Sequence, residues 1–417
     1  MHRFRLPMFL ALIATLSACA TNQEKRLKRP VEPLYGVHDP EFRQGVGTLL
    51  GGGLVGGNRI TTLRNGDQIF PAMLQAIGSA KKTITFETYV FWKGDAAERI
   101  TEALAERARA GVQVNVILDA QGQKKASGLV RRLREAGAQV ERFHALRWWE
   151  ISRYNNRTHR KLLVIDGRVG FIGGVGIADL WEGNADSPKH WRDSHYRVEG
   201  PVVAELQAAF NDNWLKTRGE LLHGRDYFPA LDKRGSIEAQ VFGNSPREGS
   251  INVMLMYQLA IAAAKKTVRI ENAYFVPDRQ LVKELTEATK RGVDVEIVLP
   301  GKHIDQKMVR RASRTKWKEL LKAGGKIYEF QPTMIHCKLL IVDGLFVSVG
   351  SANFDNRSLR LNDEANMNVL NAGFAAEQTR IFEQDRQRSG QVKYDEQKNR
   401  IVRAPFDQTA AVFSSQL

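Results

Sequence analysis

Apolar positions along the chain switch between two periods. Short runs such as VNVIL (114–118) and VEIVL (295–299) are apolar on both faces, as strands buried under flanking helices should be. Helical segments such as Ala97 to Ala110 alternate with them, which predicts α/β layers. The succession occurs twice. AIGSAKKTITFETYVF (76–91) matches AIAAAKKTVRIENAYF (260–275), RAGVQVNVIL (109–118) matches KRGVDVEIVL (290–299), and EAGAQVERF (135–143) matches KAGGKIYEF (322–330). Each half reads helix, strand, helix, strand, helix, strand, and then a strand opening on His. The expected fold class is therefore α/β, with two tandem halves at 61–235 and 236–390, each a mixed β-sheet flanked by helices, and a tail at 391–417. Ahead of them, 19–60 reads as a tether: Asn22 to Pro40 is polar and dotted with Pro, and Gly45 to Gly57 is Gly-rich. The Gly-rich stretch lacks the Gly-Lys-Ser/Thr of a phosphate loop, so a flexible surface segment is expected, with membrane contact the second reading.

Composition changes this picture only through charge. The 417 residues carry 62 Lys and Arg against 46 Asp and Glu, a net charge of +16. That balance suits either solubility or a polyanion, whether nucleic acid or an anionic membrane surface. The N-terminus favours the membrane. His2, Arg3 and Arg5 precede an apolar run from Leu6 to Leu16, too short to span a bilayer, which needs about 20 residues. It ends in Leu16-Ser17-Ala18-Cys19, which resembles the lipobox of bacterial lipoproteins. That resemblance implies cleavage of a signal peptide at 1–18, a diacylglycerol on Cys19, and a membrane-anchored protein of the bacterial envelope facing the periplasm. Ala20 after the cysteine points towards the outer membrane. Cys337 is the only other cysteine, so a lipidated Cys19 would leave one thiol and no internal disulfide.

The chemistry lies in a doubled pattern, His-x-Lys-x4-Asp: THRKLLVIDG with His159, Lys161 and Asp166, and IHCKLLIVDG with His336, Lys338 and Asp343. Side chains alternate along a strand, so each His shares a face with its Lys. Cys337 points the other way, into the core. Asp166 and Asp343 belong to the candidate catalytic pattern, yet seven positions on they fall on the opposite face. Each precedes Gly and is expected to support a hairpin turn. A pseudo-twofold arrangement would bring the two His-x-Lys strands together at the seam between halves. Two imidazoles and two ammonium groups there suit attack on a phosphodiester. No cluster has clear metal-ligand spacing, so neither metal nor other cofactor is expected. With both motifs in one chain, a monomer suffices.

This doubled motif resembles the signature of the phospholipase D superfamily, over about Thr61 to Arg388. Gly173-Gly174 after the first motif and GSANFDNRSLRLNDEANM (350–367) after the second are also similar to it, and NGDQIFPAMLQAIGSAKKTITFETYVFW (65–92) looks like bacterial cardiolipin synthases. The resemblance implies a phosphohistidine mechanism, with His159 as nucleophile and His336 as acid, although the duplication leaves the roles nearly interchangeable. It implies a supporting carboxylate some 25 to 35 positions after each His, matching Asp193 and Glu364. Ser351 and Asn353 match phosphate-contacting positions, while Gly176 stands where many members have Asn. The expected partner is an anionic phospholipid, phosphatidylglycerol, rather than nucleic acid. A synthase, a phospholipase D that lets water take the phosphatidyl group, a nuclease and an inactive lipid-binding protein are the readings in descending order.

Two basic stretches remain open. Phe143 and His159 are sixteen positions apart, Phe330 and His336 only six. The longer loop carries Arg147, Trp148, Trp149, Arg153, Tyr154 and Arg157, suited either to a headgroup interface or to simple packing. The run Lys302 to Lys318 suits a solvated helix face or membrane docking.

Overall fold

The computed structural model describes residues 25, 27, 29–144 and 155–394. The leader, Cys19, the loop residues Arg147, Trp148, Trp149, Arg153 and Tyr154, and the chain beyond 394 lie outside them. Among the described residues, fifteen strands form one sheet in which two sets of seven mirror each other. From the centre outwards the first set runs Val55–Arg64, Ser194–Glu199, Val169–Gly173, Leu162–Ile165, Thr83–Thr88, Gln113–Asp119 and Gln139–Phe143. The second runs Ile237–Asn244, Glu364–Leu370, Phe346–Gly350, Lys338–Val342, Thr267–Asn272, Asp294–Pro300 and Lys326–Phe330, with Ser389–Gln391 added at its edge. In both sets the three outer strands are parallel and every other pairing is antiparallel, giving the mixed sheets expected.

Alternation along the motif strands builds the layers. Leu163 and Ile165 pack under helices Asn65–Ser79, Asp95–Arg109 and Ser127–Glu135, while Leu340 and Val342 pack under the corresponding helices of the second half. Leu162, Val164, Cys337, Leu339 and Ile341 face the other way, into one core shared by both halves and by helices Val203–Arg218 and Ala372–Gln387. Asp95–Arg109 shows why such segments are helical. Ala96, Ala97, Ile100, Leu104 and Ala105 form one buried stripe, with acids in the first turn and arginines in the last, where the helix dipole favours each.

The Gly-rich stretch departs from its expected role. Pro40–Leu49 is helical, and Val55–Arg64 is the strand on which the two sets meet. Asn58 explains the order. Its fully buried amide donates to Val55 O and Ile237 O across an irregular register and accepts from Val202 N, so the bulge is satisfied from within. Gly57 has a φ of 94°, in the left-handed region, and a Cβ there would meet Lys233 Cγ at 2.6 Å.

Both motif strands end in tight hairpins. Asp166 and Gly167 have φ of 51° and 59°, and Asp343 and Gly344 of 49° and 64°, the left-handed pair of a type I′ turn. Neither aspartate faces the motif histidines. Asp166 accepts from the backbone N–H of Lys81, Lys82 and Thr83, and Asp343 from those of Lys265, Lys266 and Thr267. Each carboxylate thus ties the turn to the first residue of the neighbouring strand, a structural duty in place of a catalytic one. Asp166→Ala should cost about 1–2 kcal/mol in urea unfolding, with the loss appearing in stability and not in turnover per folded molecule.

Candidate active site

Each motif begins where the chain crosses into the other half. His159 N donates to Asp363 O at 2.8 Å, and His336 N donates to Arg192 O at 2.7 Å. Short parallel bridges, Thr158 with Asp363 and Arg192 with Ile335, hold these crossings. The residue after each accepting carbonyl is an acid, so each acid arrives behind the histidine of the opposite half. His159 Nδ1 lies 3.0 Å from both oxygens of Glu364, and His336 Nδ1 lies 2.8 Å from Asp193 Oδ2. The pairing is crossed: the carboxylate downstream of one motif serves the other. Sequence spacing finds both acids but cannot assign them, because the assignment depends on how the halves dock.

The acids are themselves held. Glu364 accepts from Ser351 Oγ at 2.5 Å and Ser358 Oγ at 2.6 Å. Asp193 accepts from Trp181 Nε1 at 3.0 Å and Ser194 N at 2.8 Å. Ser351, expected at the phosphate, therefore buttresses the carboxylate instead. Asn353 does line the cavity. Gly174 leaves room for Asp193, since a Cβ there would stand 2.4 Å from its Oδ1. Gly176 has no room for Asn: a Cβ would meet Val90 Cβ at 2.7 Å and the Trp181 ring at 3.1 Å. The missing amide is replaced by an aromatic wall.

His159, Lys161 and His336 line one cavity of about 410 Å³. With Nδ1 engaged by a carboxylate, each ring keeps Nε2 for substrate. Lys161 Nζ and Lys338 Nζ donate to the carbonyls of their own histidines, both at 2.6 Å, which fixes the ammonium groups beside the rings. The surroundings differ from end to end. Tyr89 packs edge-on to His159, with Arg157 and Arg357 nearby, whereas Trp181, Trp191 and Tyr274 surround His336. Sequence reasoning missed most of this wall. Tyr274 and Arg357 stood inside quoted segments, but the two tryptophans break the repeat and gave no signal. Of the other histidines, His195 is buried beside this centre without lining the cavity, and His223 lines a separate surface groove.

Burial depresses both imidazoles. Burial, then Lys161, Lys338, Arg157 and Arg357, hold His159 well below its usual range, so it is neutral. Burial and Lys338 bring His336 down to about 4, while Asp193 pulls it back up. Asp193 stays ionised: burial would raise it, but His336, Lys338 and Trp181 outweigh that and leave it low. Burial raises Glu364 despite Lys161 and its two serine hydroxyls. Lys161 falls to about 7, by burial first and with Lys338 adding to it. An anion bound between the lysines reverses these depressions. Inorganic phosphate should therefore bind with net proton uptake near pH 7, and its affinity should weaken as pH rises past about 7. Calorimetry in buffers of different ionisation enthalpy measures the uptake, and proton release on binding would contradict it.

Comparison with known proteins agrees with this geometry. A family model described as cardiolipin synthase, PLD-like domain, matches residues 73–214 and 258–386. A cardiolipin synthase of Geobacillus kaustophilus is 32% identical over 86% of this chain and 72% of its own length. Cardiolipin synthase A of Pseudomonas fluorescens is 33% identical over 82% and 71%. Among solved structures, the phosphatidylserine synthase of Haemophilus influenzae superposes with a TM-score of 0.65 at 14% identity, covering 90% of this chain and all of that one, which shows a shared fold. The chain belongs to the phospholipase D superfamily and, within it, to the cardiolipin synthase family.

Proposed function

We propose that the protein is a phosphatidyltransferase that joins two phosphatidylglycerol molecules into cardiolipin and glycerol. The observation that carries the reading is the pair of crossed histidine–carboxylate couples on one cavity, with two buried lysines beside them. His159 Nε2 attacks the phosphorus of the first lipid, and the bond to its headgroup glycerol breaks. His336, protonated as the bound diester offsets Lys338 and Lys161, gives its proton to the departing oxygen. Phosphatidyl-His159 and free glycerol result. His336 then takes the proton of a headgroup hydroxyl of the second lipid, whose oxygen attacks phosphorus and releases His159. Lys161 and Lys338 stabilise the charge gathered on the phosphoryl oxygens. One phosphodiester replaces another, so no nucleotide is consumed. Water in place of the second lipid would yield phosphatidic acid, the hydrolytic alternative.

No described helix is long and apolar enough to cross a membrane. Attachment is proposed to come from a lipidated Cys19, with the polar segment behind it as tether. Cys19→Ser should then abolish incorporation of labelled palmitate and release the protein from membranes.

The reaction is tested with labelled phosphatidylglycerol in mixed micelles. Cardiolipin formed without nucleotide supports the synthase. Phosphatidic acid alone would establish hydrolysis, and neither product would overturn both.

A further inference from the structure

Thr83–Thr88 and Gln113–Asp119 are parallel, and so are Thr267–Asn272 and Asp294–Pro300. The connections that follow each pair therefore leave from one edge of their set of strands, and both edges meet at the cavity: Trp92 lines it from the first half, Tyr274 and Asp305 from the second. These connections, with the first turns of Lys307–Lys322, are basic. Lys93, Lys124, Lys125, Lys302, Lys307 and Arg311 are all exposed. None of the six forms an ion pair among the described residues. The acids of the same connections are engaged, Asp278 with Arg360 at 2.9 Å and Asp305 with Tyr274 Oη at 2.8 Å. Asp95, which opens the next helix, offsets one cation. The excess is built in. Ser127–Glu135 has nine residues and its counterpart Lys307–Lys322 sixteen; the repeat aligns their ends, so the added turns are those that carry Lys307, Met308 and Arg311. In the shorter helix Arg131 pairs with Glu135 and Arg132 with Glu98.

Apolar groups stand among these cations. Met308 is 43% exposed, with Arg311 Nη1 4.0 Å from its sulfur, and Lys124 Nζ lies 5.0 Å from the centre of the half-buried Trp92 ring. Lysine and arginine around tryptophan and an exposed apolar side chain suit the boundary between headgroups and acyl chains. A ring of like charges also repels itself, and an opposing anionic surface relieves that.

The N-terminal segment arrives at the same edge. Arg29 O accepts from Gln280 Nε2 at 3.2 Å, in the first turn of Arg279–Lys290, the helix that follows Thr267–Asn272. We propose that this rim docks on an anionic phospholipid bilayer and turns the cavity towards the headgroups, so that lipid enters without leaving the membrane. A lipid on Cys19 would hold the chain at the membrane, and the rim sets the face it presents. The choice of a bilayer over nucleic acid rests on the phosphatidyltransferase reading above, in which both substrates are lipids.

The test compares one lipid in two physical states. Full-length protein carrying Lys93→Gln, Lys125→Gln, Lys307→Gln and Arg311→Gln together is given phosphatidylglycerol in vesicles, or short-chain phosphatidylglycerol dissolved as monomers. A basic residue at an anionic surface is worth roughly fivefold in partitioning, so turnover on vesicles should fall about tenfold or more. Turnover of the dissolved lipid should stay within about threefold of native, since none of the four lines the cavity. Parallel loss on both substrates, or unchanged turnover on vesicles, would overturn the proposal. A polarity-sensitive dye on Met308→Cys reads docking without turnover, Cys337 being buried. Its emission should shift to the blue with phosphatidylglycerol vesicles, not with phosphatidylcholine vesicles, and not in the fourfold variant. A shift with duplex DNA but not with vesicles would make the rim a nucleic-acid surface and overturn it. Native enzyme that turns over neither lipid while the dye still shifts would support the docking and reject the phosphatidyltransferase reading.

Discussion

His159→Ala should lower cardiolipin formation by about 10⁴-fold or more, the scale seen when a nucleophile is removed, and should leave no lipid-labelled enzyme on acid or base quench. Nothing else in the cavity can replace this ring. Cys337 points into the shared core, where burial pushes its thiol well up, and the lysines are tied to backbone carbonyls. His336 carries the same kind of couple, with Asp193 2.8 Å behind it, so only the labelling below separates the two roles. His336→Ala should be equally poor with phosphatidylglycerol. Given a lipid with a nitrophenyl leaving group, which departs without a proton, it should accumulate the phosphatidyl-enzyme, because His159 can still attack and no base activates the acceptor. The readout is label retained on protein against nitrophenol released in the first turnover. Label retained by His159→Ala and absent from His336→Ala would exchange the two roles.

The sequence carried the fold at the level of repeated units. Apolar strands at 114–118 and 295–299, the matched segments around them and the two Asp-Gly hairpins all appear where their periodicity and turn chemistry put them. The motif histidines and lysines were legible for the same reason, since a strand fixes which side chains share a face. Long-range docking was not legible. Nothing local reveals that Glu364 lies behind His159, because backbone bridges between residues more than a hundred positions apart decide it. Val55–Arg64 was hidden for a different reason. Its glycines read as looseness, while the neighbours that bind its backbone, Ile237–Asn244 and Ser194–Glu199, come much later in the chain. The contact of Ser351 with Glu364 was hidden because a hydroxyl can serve a phosphate or a carboxylate with equal ease, and only the fold brings that carboxylate to it.

The crossed pairing has a kinetic signature, and Asp193→Asn against Glu364→Gln reads it. Either amide can present the wrong hydrogen-bonding group to its imidazole. Loss of tautomer control in a comparable histidine–carboxylate pair costs about 10⁴-fold, so each variant should lose roughly 10²–10⁴-fold with phosphatidylglycerol. The two should part when the leaving group no longer needs a proton. Asp193 holds His336, the proposed acid, so Asp193→Asn should recover its first-turnover burst of nitrophenol to within about tenfold of the native rate. Glu364 holds His159, the proposed nucleophile, and no leaving group repairs a misoriented nucleophile, so Glu364→Gln should stay slow. If each acid served the histidine upstream in its own half, the rescue would fall to Glu364→Gln instead. A burst equally depressed in both variants would mean that the carboxylates hold the seam together without steering either ring. The distances of 2.8 and 3.0 Å, with Nδ1 engaged in both couples, argue for the first outcome.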